Sequence, residues 1–264
     1  MNNFGMESNM KRIAIITGAS SGMGKEFALE IDKKFNSIDE IWIVARRKEL
    51  LEELRDNINK PCLLINEDIT EKGFYLRLSK ILKQENVGVK ILINCAGYGI
   101  VGNVGYAAHD VSIGMINTNC VGLTSVIHVV LPYMMKQSRI INLASSAAFL
   151  PQPDFAIYAA SKSYVLSFSR ALNCELRKRE IFVTAVCPGP VATDFFRIAE
   201  DGEKKAWFKD LFMAEPEQVV KKALCDSVNK KEISIYGIPM NLFYLLTKLV
   251  PHRIILKIYS GLMK

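Results

Sequence analysis

The chain has no Cys-x-x-Cys pair. Its six cysteines (Cys62, Cys95, Cys120, Cys174, Cys187 and Cys225) are scattered, and its three histidines (His109, His128 and His252) stand far apart. Metal-ligand spacing is therefore missing, no metal site is expected, and the thiols read as reduced and buried. The segment Met1 to Met10 has neither a basic n-region nor an apolar h-region, so it does not read as a secretory signal, and a cytoplasmic location is expected. Internal repeats, low-complexity tracts and linkers are absent. One domain over 1–264, with a core at 11–236, is the simplest organisation at this length. The net charge is +7, yet the basic pairs (Arg46–Arg47, Lys204–Lys205, Lys221–Lys222 and Lys230–Lys231) are dispersed with acids between them. With no aromatic-interleaved basic stripe, no nucleic-acid partner is expected, and solvated faces plus an anionic cofactor account for the charge.

What is present is a regular alternation of short apolar runs and amphipathic stretches. Strands are predicted at Lys11–Thr17, Glu40–Ala45, Cys62–Asn66, Val89–Asn94, Arg139–Ala144, Ile181–Cys187 and Glu232–Tyr236. Helices are predicted at Gly22–Phe35, Lys48–Ile58, Glu71–Gln84, about Ser112–Lys136, Ala156–Arg179 and Pro216–Asn229. The strands show little polar–apolar alternation, which suits a parallel sheet covered on both faces. The expected fold is α/β, a single-domain doubly wound parallel sheet of Rossmann type with helices on both faces and a C-terminal helical extension over 237–264.

Directly after the first strand comes Thr17-Gly18-Ala19-Ser20-Ser21-Gly22-Met23-Gly24. Glycines let backbone turn sharply beside a pyrophosphate, and the following helix N-terminus offers free N–H groups and a positive dipole end. Gly18, Ser20, Ser21, Gly22, Met23 and Gly24 are thus candidate cofactor contacts. The second strand ends at Arg46 and Arg47, where NAD sites place a carboxylate for the ribose 2′-hydroxyl. A guanidinium fork suits a 2′-phosphate, so NADP(H) is the expected cofactor, with Arg46 the first choice of ligand.

Tyr158 and Lys162 stand four residues apart and share a face of the predicted helix. An ammonium ~4 Å from a phenol is worth about 4 kcal/mol at an effective dielectric of ~20, or roughly three pKa units toward the phenolate. Asn119 and Ser145 precede them in the order a hydride-transfer site needs. A second Tyr-x-x-x-Lys, Tyr244 and Lys248, has Lys231 thirteen residues upstream where the first copy has Ser145, and it completes no such site.

With these residues assembled, the chain resembles the short-chain dehydrogenase/reductase family from about Lys11 to Tyr236, with hydroxysteroid dehydrogenases among the nearer kin. The resemblance rests on Thr17–Gly24, Asp68-Ile69, Asn94-Cys95-Ala96-Gly97, Asn119, Ser145, Tyr158-x-x-x-Lys162 and Pro188-Gly189-Pro190-Val191-Ala192-Thr193. It implies that Asp68 and Ile69 frame the adenine, and that Asn94, Ala96 and Gly97 lie beside the cofactor. It implies that Tyr158 is the general acid in reduction and the base in oxidation. Lys162 would lower the Tyr158 pKa and hold the nicotinamide ribose, Ser145 would bond the substrate oxygen, and Asn119 would anchor a water leading to Lys162. Pro188, Gly189, Val191 and Thr193 would lie at the cofactor, the last two at the carboxamide. Cys95, Ala144 and Ala148 depart from the usual asparagine, serine and glycine. The family also implies a homodimer or homotetramer. The three histidines have no place in this mechanism and read as structural or exposed.

The stretch 190–214 corresponds to the family's mobile substrate lid and carries Phe195, Phe196, Trp207, Phe208 and Phe212. These aromatics point to a bulky hydrophobic ketone or alcohol, with a hydroxysteroid or bile acid the leading class. The Asp-Gly-Gly ending common in 3-oxoacyl-carrier-protein reductases is missing, which places reduction of an acyl thioester second. A catalytically silent NADPH-sensing protein is the alternative from another class, and the intact tetrad argues against it. From Tyr236 to Lys264 there are four Lys or Arg residues and no acid. Leu242 to Val250 is nearly all apolar, is broken by Pro251, and is far short of the ~20 residues needed to cross a bilayer. Three roles stay open for this tail: docking on a partner subunit, walling the substrate cleft, or a peripheral membrane contact.

Overall fold

The computed structural model describes residues 10–195 and 213–262, with side chains of 258–262 undescribed. Among these residues seven strands form one parallel sheet in the order β3-β2-β1-β4-β5-β6-β7. They are β1 (Lys11–Thr17), β2 (Glu40–Ala45), β3 (Cys62–Asn66), β4 (Val87–Asn94), β5 (Met134–Leu143), β6 (Ile181–Val186) and β7 (Ile233–Ser234). Successive side chains along a strand point to opposite faces, and here both faces are apolar. Ile13, Ile15, Trp42, Val44 and Leu92 join one core, packed by α3 (Phe74–Gln84), α5 (Leu123–Val130) and α6 (Ala156–Leu176). Ala14, Ile16, Ile41, Ile43, Ile91 and Ile93 join the other, packed by α1 (Gly22–Lys34), α2 (Lys48–Arg55) and α7 (Pro216–Val228). This is the doubly wound α/β fold expected from the unalternating apolar runs.

The strand order reverses beside β1, where β4 is its second neighbour and Thr17 pairs with Asn94. A crevice opens at the carboxyl ends of strands at such a point, and ligands of this fold class bind there. Across it the Cys95 amide donates to the Thr17 carbonyl at 3.2 Å, and the Ala96 amide to the Thr17 hydroxyl at 3.3 Å.

Several boundaries differ from expectation for local reasons. The α2 helix stops at Arg55 because the Asn57 side chain donates back to the Glu53 carbonyl and the amides of Asn59 and Lys60 turn to the Asp32 carboxylate. The long helix predicted to reach Lys136 runs His109–Tyr133, as α4 (His109–Ile116), a π-helical turn Asn117–Gly122, α5 and a 3₁₀ turn Leu131–Tyr133. Pro132 lies in that last turn, and Met134 is already extended. β5 therefore begins at Met134, five residues earlier than predicted. Its register jumps between Val89↔Met134 and Ile91↔Arg139, with Gln137 left-handed at φ 57°. The α6 helix ends at Leu176 in a 3₁₀ turn closed by left-handed Glu180. Beyond β7, α8 (Ile238–Leu249) and α9 (His252–Leu262) flank Pro251, the break read from the sequence.

Candidate active site

The glycine-rich turn forms the floor of the crevice. Gly18 takes φ +67°, and a Cβ there would lie 2.6 Å from the Ala96 amide nitrogen, so only glycine lets the two loops meet. Ser21 precedes α1 with extended backbone and makes no side-chain cap bond, and the first turn of α1 has no acid. The leading N–H groups of α1 are thus left without a capping side chain, as an anion site requires. At the end of β2, Arg47 donates to the hydroxyls of Ser20 (2.9 Å) and Ser21 (2.6 Å). Arg46 instead faces Asp68, at 3.4 Å. Burial works against ionisation of Asp68. Bonds from the Thr70 amide and hydroxyl, with the Arg46 charge, outweigh it and hold its carboxyl below the usual range. Ile69 is buried alongside. The Asn66 side chain donates to the Ala45 and Arg46 carbonyls and ties β3 to this corner. No carboxylate replaces the arginines at the end of β2. The cradle, the bare helix terminus and the two guanidinium groups together fit a nicotinamide dinucleotide.

At the other end of the crevice, β5 delivers Ser145 and the first turns of α6 deliver Tyr158 and Lys162. The Ser145 Oγ accepts from the Ala147 amide at 3.1 Å, which fixes it at the head of a 3₁₀ turn. The Tyr158 ring stacks on Phe155 (centroids 4.4 Å, 24°) and meets Phe195 at 5.4 Å. Lys162 Nζ donates to the Leu143 carbonyl at 2.8 Å and lies 5.7 Å from the Tyr158 ring centroid. Asn119 sits in the π-helical turn, buried. It accepts from the Tyr98 amide at 3.0 Å and donates to the Tyr98 carbonyl and the Ser161 hydroxyl, both at 2.9 Å. A Cβ on Gly97 would stand 2.8 Å from Asn119 Oδ1 and 3.3 Å from Lys162 Nζ, so these three residues meet. Asn94 donates to Asn142, which donates to Ser169, in a buried chain below the site.

The electrostatics differ from expectation. Burial pushes the Tyr158 phenol up to about 12, and a hydrogen bond with Ser145 offsets only part of this. Burial also lowers Lys162 to about 8, against the small opposing influence of the Cys95, Cys120 and Cys187 thiols around it. The expected lowering of Tyr158 by Lys162 is not what this geometry produces. The amine is engaged with a carbonyl at the end of β5, and desolvation outweighs attraction for two groups this deeply buried.

The Pro188–Thr193 motif is described in full, and the stretch 190–214 only in part. Ser146 donates to the Pro188 carbonyl at 2.8 Å, Val191 bridges to Ala214, and the Thr193 side chain lies 3.4 Å from where a Gly22 Cβ would be. Gly189 is covered by Met240 of α8. Phe196, Trp207, Phe208 and Phe212 lie outside the described residues. Two site residues escaped the sequence reading. A Cβ on Gly99 would stand 2.5 Å from the Tyr158 ring, and Phe155 supplies the stacking partner. Phe155 caps the N-terminus of α6 with non-helical backbone, and its position three residues before Tyr158 was the available signal.

Residues 12–204 match the short chain dehydrogenase family. Sulfoacetaldehyde reductase 2 of Chromohalobacter salexigens is 32% identical over 209 residues, covering 75% of this chain and 79% of that protein. Hydroxysteroid dehydrogenase-like protein 1 of Gallus gallus is 31% identical over 206 residues, covering 75% of this chain and 61% of that protein. A crystal structure of a short chain dehydrogenase/reductase from Burkholderia phymatum in complex with NAD superimposes with a TM-score of 0.77 at 20% identity, over 90% of this chain and 92% of that one. Solved structures of this fold are bound variously to NAD, NADH or NADPH.

Proposed function

The chain belongs to the short-chain dehydrogenase/reductase family, oxidoreductases of alcohols and ketones with a nicotinamide cofactor, and from that premise we propose that it interconverts a bulky hydrophobic ketone and its secondary alcohol using NADP(H). A hydroxysteroid or bile acid is the substrate class to try first. The observation that carries this reading is the aromatic bracket on the Tyr158 ring, which Phe155 and Phe195 both meet. Ile100, Val111, Met115 and Ile157 continue the apolar lining. Such a wall rewards apolar area and leaves a charged group desolvated without a partner. NADP(H) is supported by the two arginines at the end of β2, and Arg47, which spans both serines of the glycine-rich turn, joins Arg46 as a 2′-phosphate ligand.

The bound dinucleotide supplies or accepts the hydride. The chain's own residues do the rest. As a carbonyl is reduced its oxygen gains negative charge, and Ser145 and Tyr158 donate to it. A phenol held near 12 keeps its proton at neutral pH, so Tyr158 starts reduction as a loaded acid. Lys162 holds the ribose hydroxyls, and Asn119, meeting it at Gly97, anchors the water through which the proton is replaced. Association as a homodimer or homotetramer is part of the same reading. It is supported by the exposed Ile113, Ile116, Val121 and Tyr164 on α4, the π-helical turn and α6.

The test is NADPH oxidation against keto-steroids, bile-acid ketones, acyl thioesters and short aldehydes. Turnover concentrated on the first two classes is expected. Preference for acyl thioesters would move the protein to the runner-up activity, and NADPH binding with no turnover on any class would make it a sensor.

A further inference from the structure

The tail left three roles open, and the structure separates them. α8 has two unlike faces. Met240, Phe243 and Tyr244 turn inward, where Phe243 and Tyr244 lie 6.1 and 4.8 Å from the Phe149 ring and Met240 covers Gly189. Ile238, Leu242, Leu245, Leu246 and Leu249 turn outward and are between 48% and 86% exposed. At 3.6 residues per turn these five positions fall within a stripe ~100° wide along a helix ~18 Å long. This is the wrong side of the helix for walling the substrate cleft. After Pro251 the stripe is followed by α9, with Ile254 half exposed.

Charge decides between the two remaining occupants. From Gly237 to Lys264 the chain carries Lys248, Arg253, Lys257 and Lys264 and neither Asp nor Glu. A second copy docked through this face by a two-fold axis would bring like-charged segments together, because an isologous interface pairs a patch with itself. An anionic bilayer answers both properties at once. The leucine stripe enters the headgroup–acyl boundary by ~5–10 Å, and the cations meet lipid phosphates and carboxylates.

We propose that α8 and α9 dock the protein reversibly on an anionic lipid surface, with the Ile238–Leu249 stripe laid in the interface. This does not depend on which ketone is reduced, or on reduction at all. The Met240 contact at Gly189 places the docked helix directly against the loop that follows β6, so lipid binding and the cofactor crevice share one element.

The experiment is co-flotation of the full-length protein with vesicles of phosphatidylcholine alone and of phosphatidylcholine with 30% phosphatidylserine, at low and at 0.5 M salt. At low salt the wild type is expected to float at least tenfold more with the serine-lipid vesicles, and high salt removes most of that excess. Leu242→Ser/Leu245→Ser/Leu249→Ser loses flotation, and Lys248→Glu/Arg253→Glu loses the preference for anionic vesicles. Both variants alter exposed side chains, and an unchanged melting temperature and NADPH affinity establish that they fold. Equal flotation of the leucine variant and the wild type overturns the proposal, as does failure of the wild type to bind either vesicle. A fall in oligomeric mass of the leucine variant by light scattering, without vesicle binding by the wild type, assigns the face to a second copy and overturns it too.

Discussion

Lys162 is a cationic side chain with 4% of its surface exposed, and its Nζ donates to the Leu143 carbonyl. Burial lowers its pKa from 10.5 to about 8, while in the unfolded chain it stays protonated up to the ordinary value. Between those two pH values the unfolded chain binds the extra proton, so stability rises with pH across the window, by up to about 3 kcal/mol. Tyr158 acts in the opposite direction higher up. Its phenol ionises near 10 when unfolded and near 12 when folded, so its contribution falls as pH rises through that range. Lys162→Met is expected to flatten the gain between pH 8 and 10, read from urea unfolding midpoints at the two ends. Tyr158→Phe removes the proton donor and leaves the crevice intact. It should cut turnover by roughly 10²–10⁴-fold with NADPH affinity within about twofold of wild type, measured by single-turnover absorbance and fluorescence titration. Near-normal turnover in that variant would remove Tyr158 from the chemistry.

Whole elements hold these residues in place. The π-helical turn at Asn117–Gly122 presents Asn119 to the Tyr98 backbone and the Ser161 hydroxyl. Asn119→Ala removes bonds to the half-buried Tyr98 amide and carbonyl and to the buried Ser161 hydroxyl, and should destabilise the protein by ~1–3 kcal/mol, visible as a lowered thermal midpoint with the secondary structure retained. The loop after β4 approaches α6 so closely that Gly99→Ala must displace the Tyr158 ring. A loss of turnover larger than the loss of stability is the expected result, and equal kinetics would show that the ring moves freely. Helices and strands with strong periodicity were readable one residue at a time. The π turn was not, because Asn117-Thr118-Asn119-Cys120 has no composition that separates a π from an α turn. The early start of β5 was also hidden. Met134-Met135-Lys136 continues a helical pattern, and only pairing of Met134 with Val89 makes it a strand.

At the scale of the molecule, the site exists because β1 and β4 are neighbours at the reversal of strand order. Leu92, fully buried in β4, lies in one of the two cores that hold this pairing. Leu92→Ala should cost ~2–5 kcal/mol, measured by denaturant unfolding. The same arrangement brings Arg46 and Arg47 just after β2, Ser20 and Ser21 of the first turn and Asp68 after β3 into one corner. Arg47→Ala and Arg46→Ala should each lower kcat/KM with NADPH by at least tenfold and leave NADH use nearly unchanged. A wild-type preference for NADH would reject the 2′-phosphate assignment. Which arginine crosses to the serines could not be read from adjacent positions. Side-chain direction at a strand end follows from the twist of the sheet.

The amino-acid sequence by itself determined the order of elements, because apolar runs without alternation have to be covered on both faces. It also determined the chemical inventory: a glycine turn opening a helix, arginines where a carboxylate would select NAD, and a hydroxyl, a phenol, an amine and an amide in sequence. Tertiary structure alone decided the protonation energetics. Spacing on a helix brings an amine and a phenol to one face but does not say how much water either keeps. It is the closing of α6, the β5 end and the loop after β4, with Gly99 against Tyr158, that removes that water, lifting one pKa and lowering the other. The outward stripe of α8 was decided in the same way. The leucines are in the sequence, and the packing of Phe243 and Tyr244 on Phe149 determines which side of the helix is left for a partner.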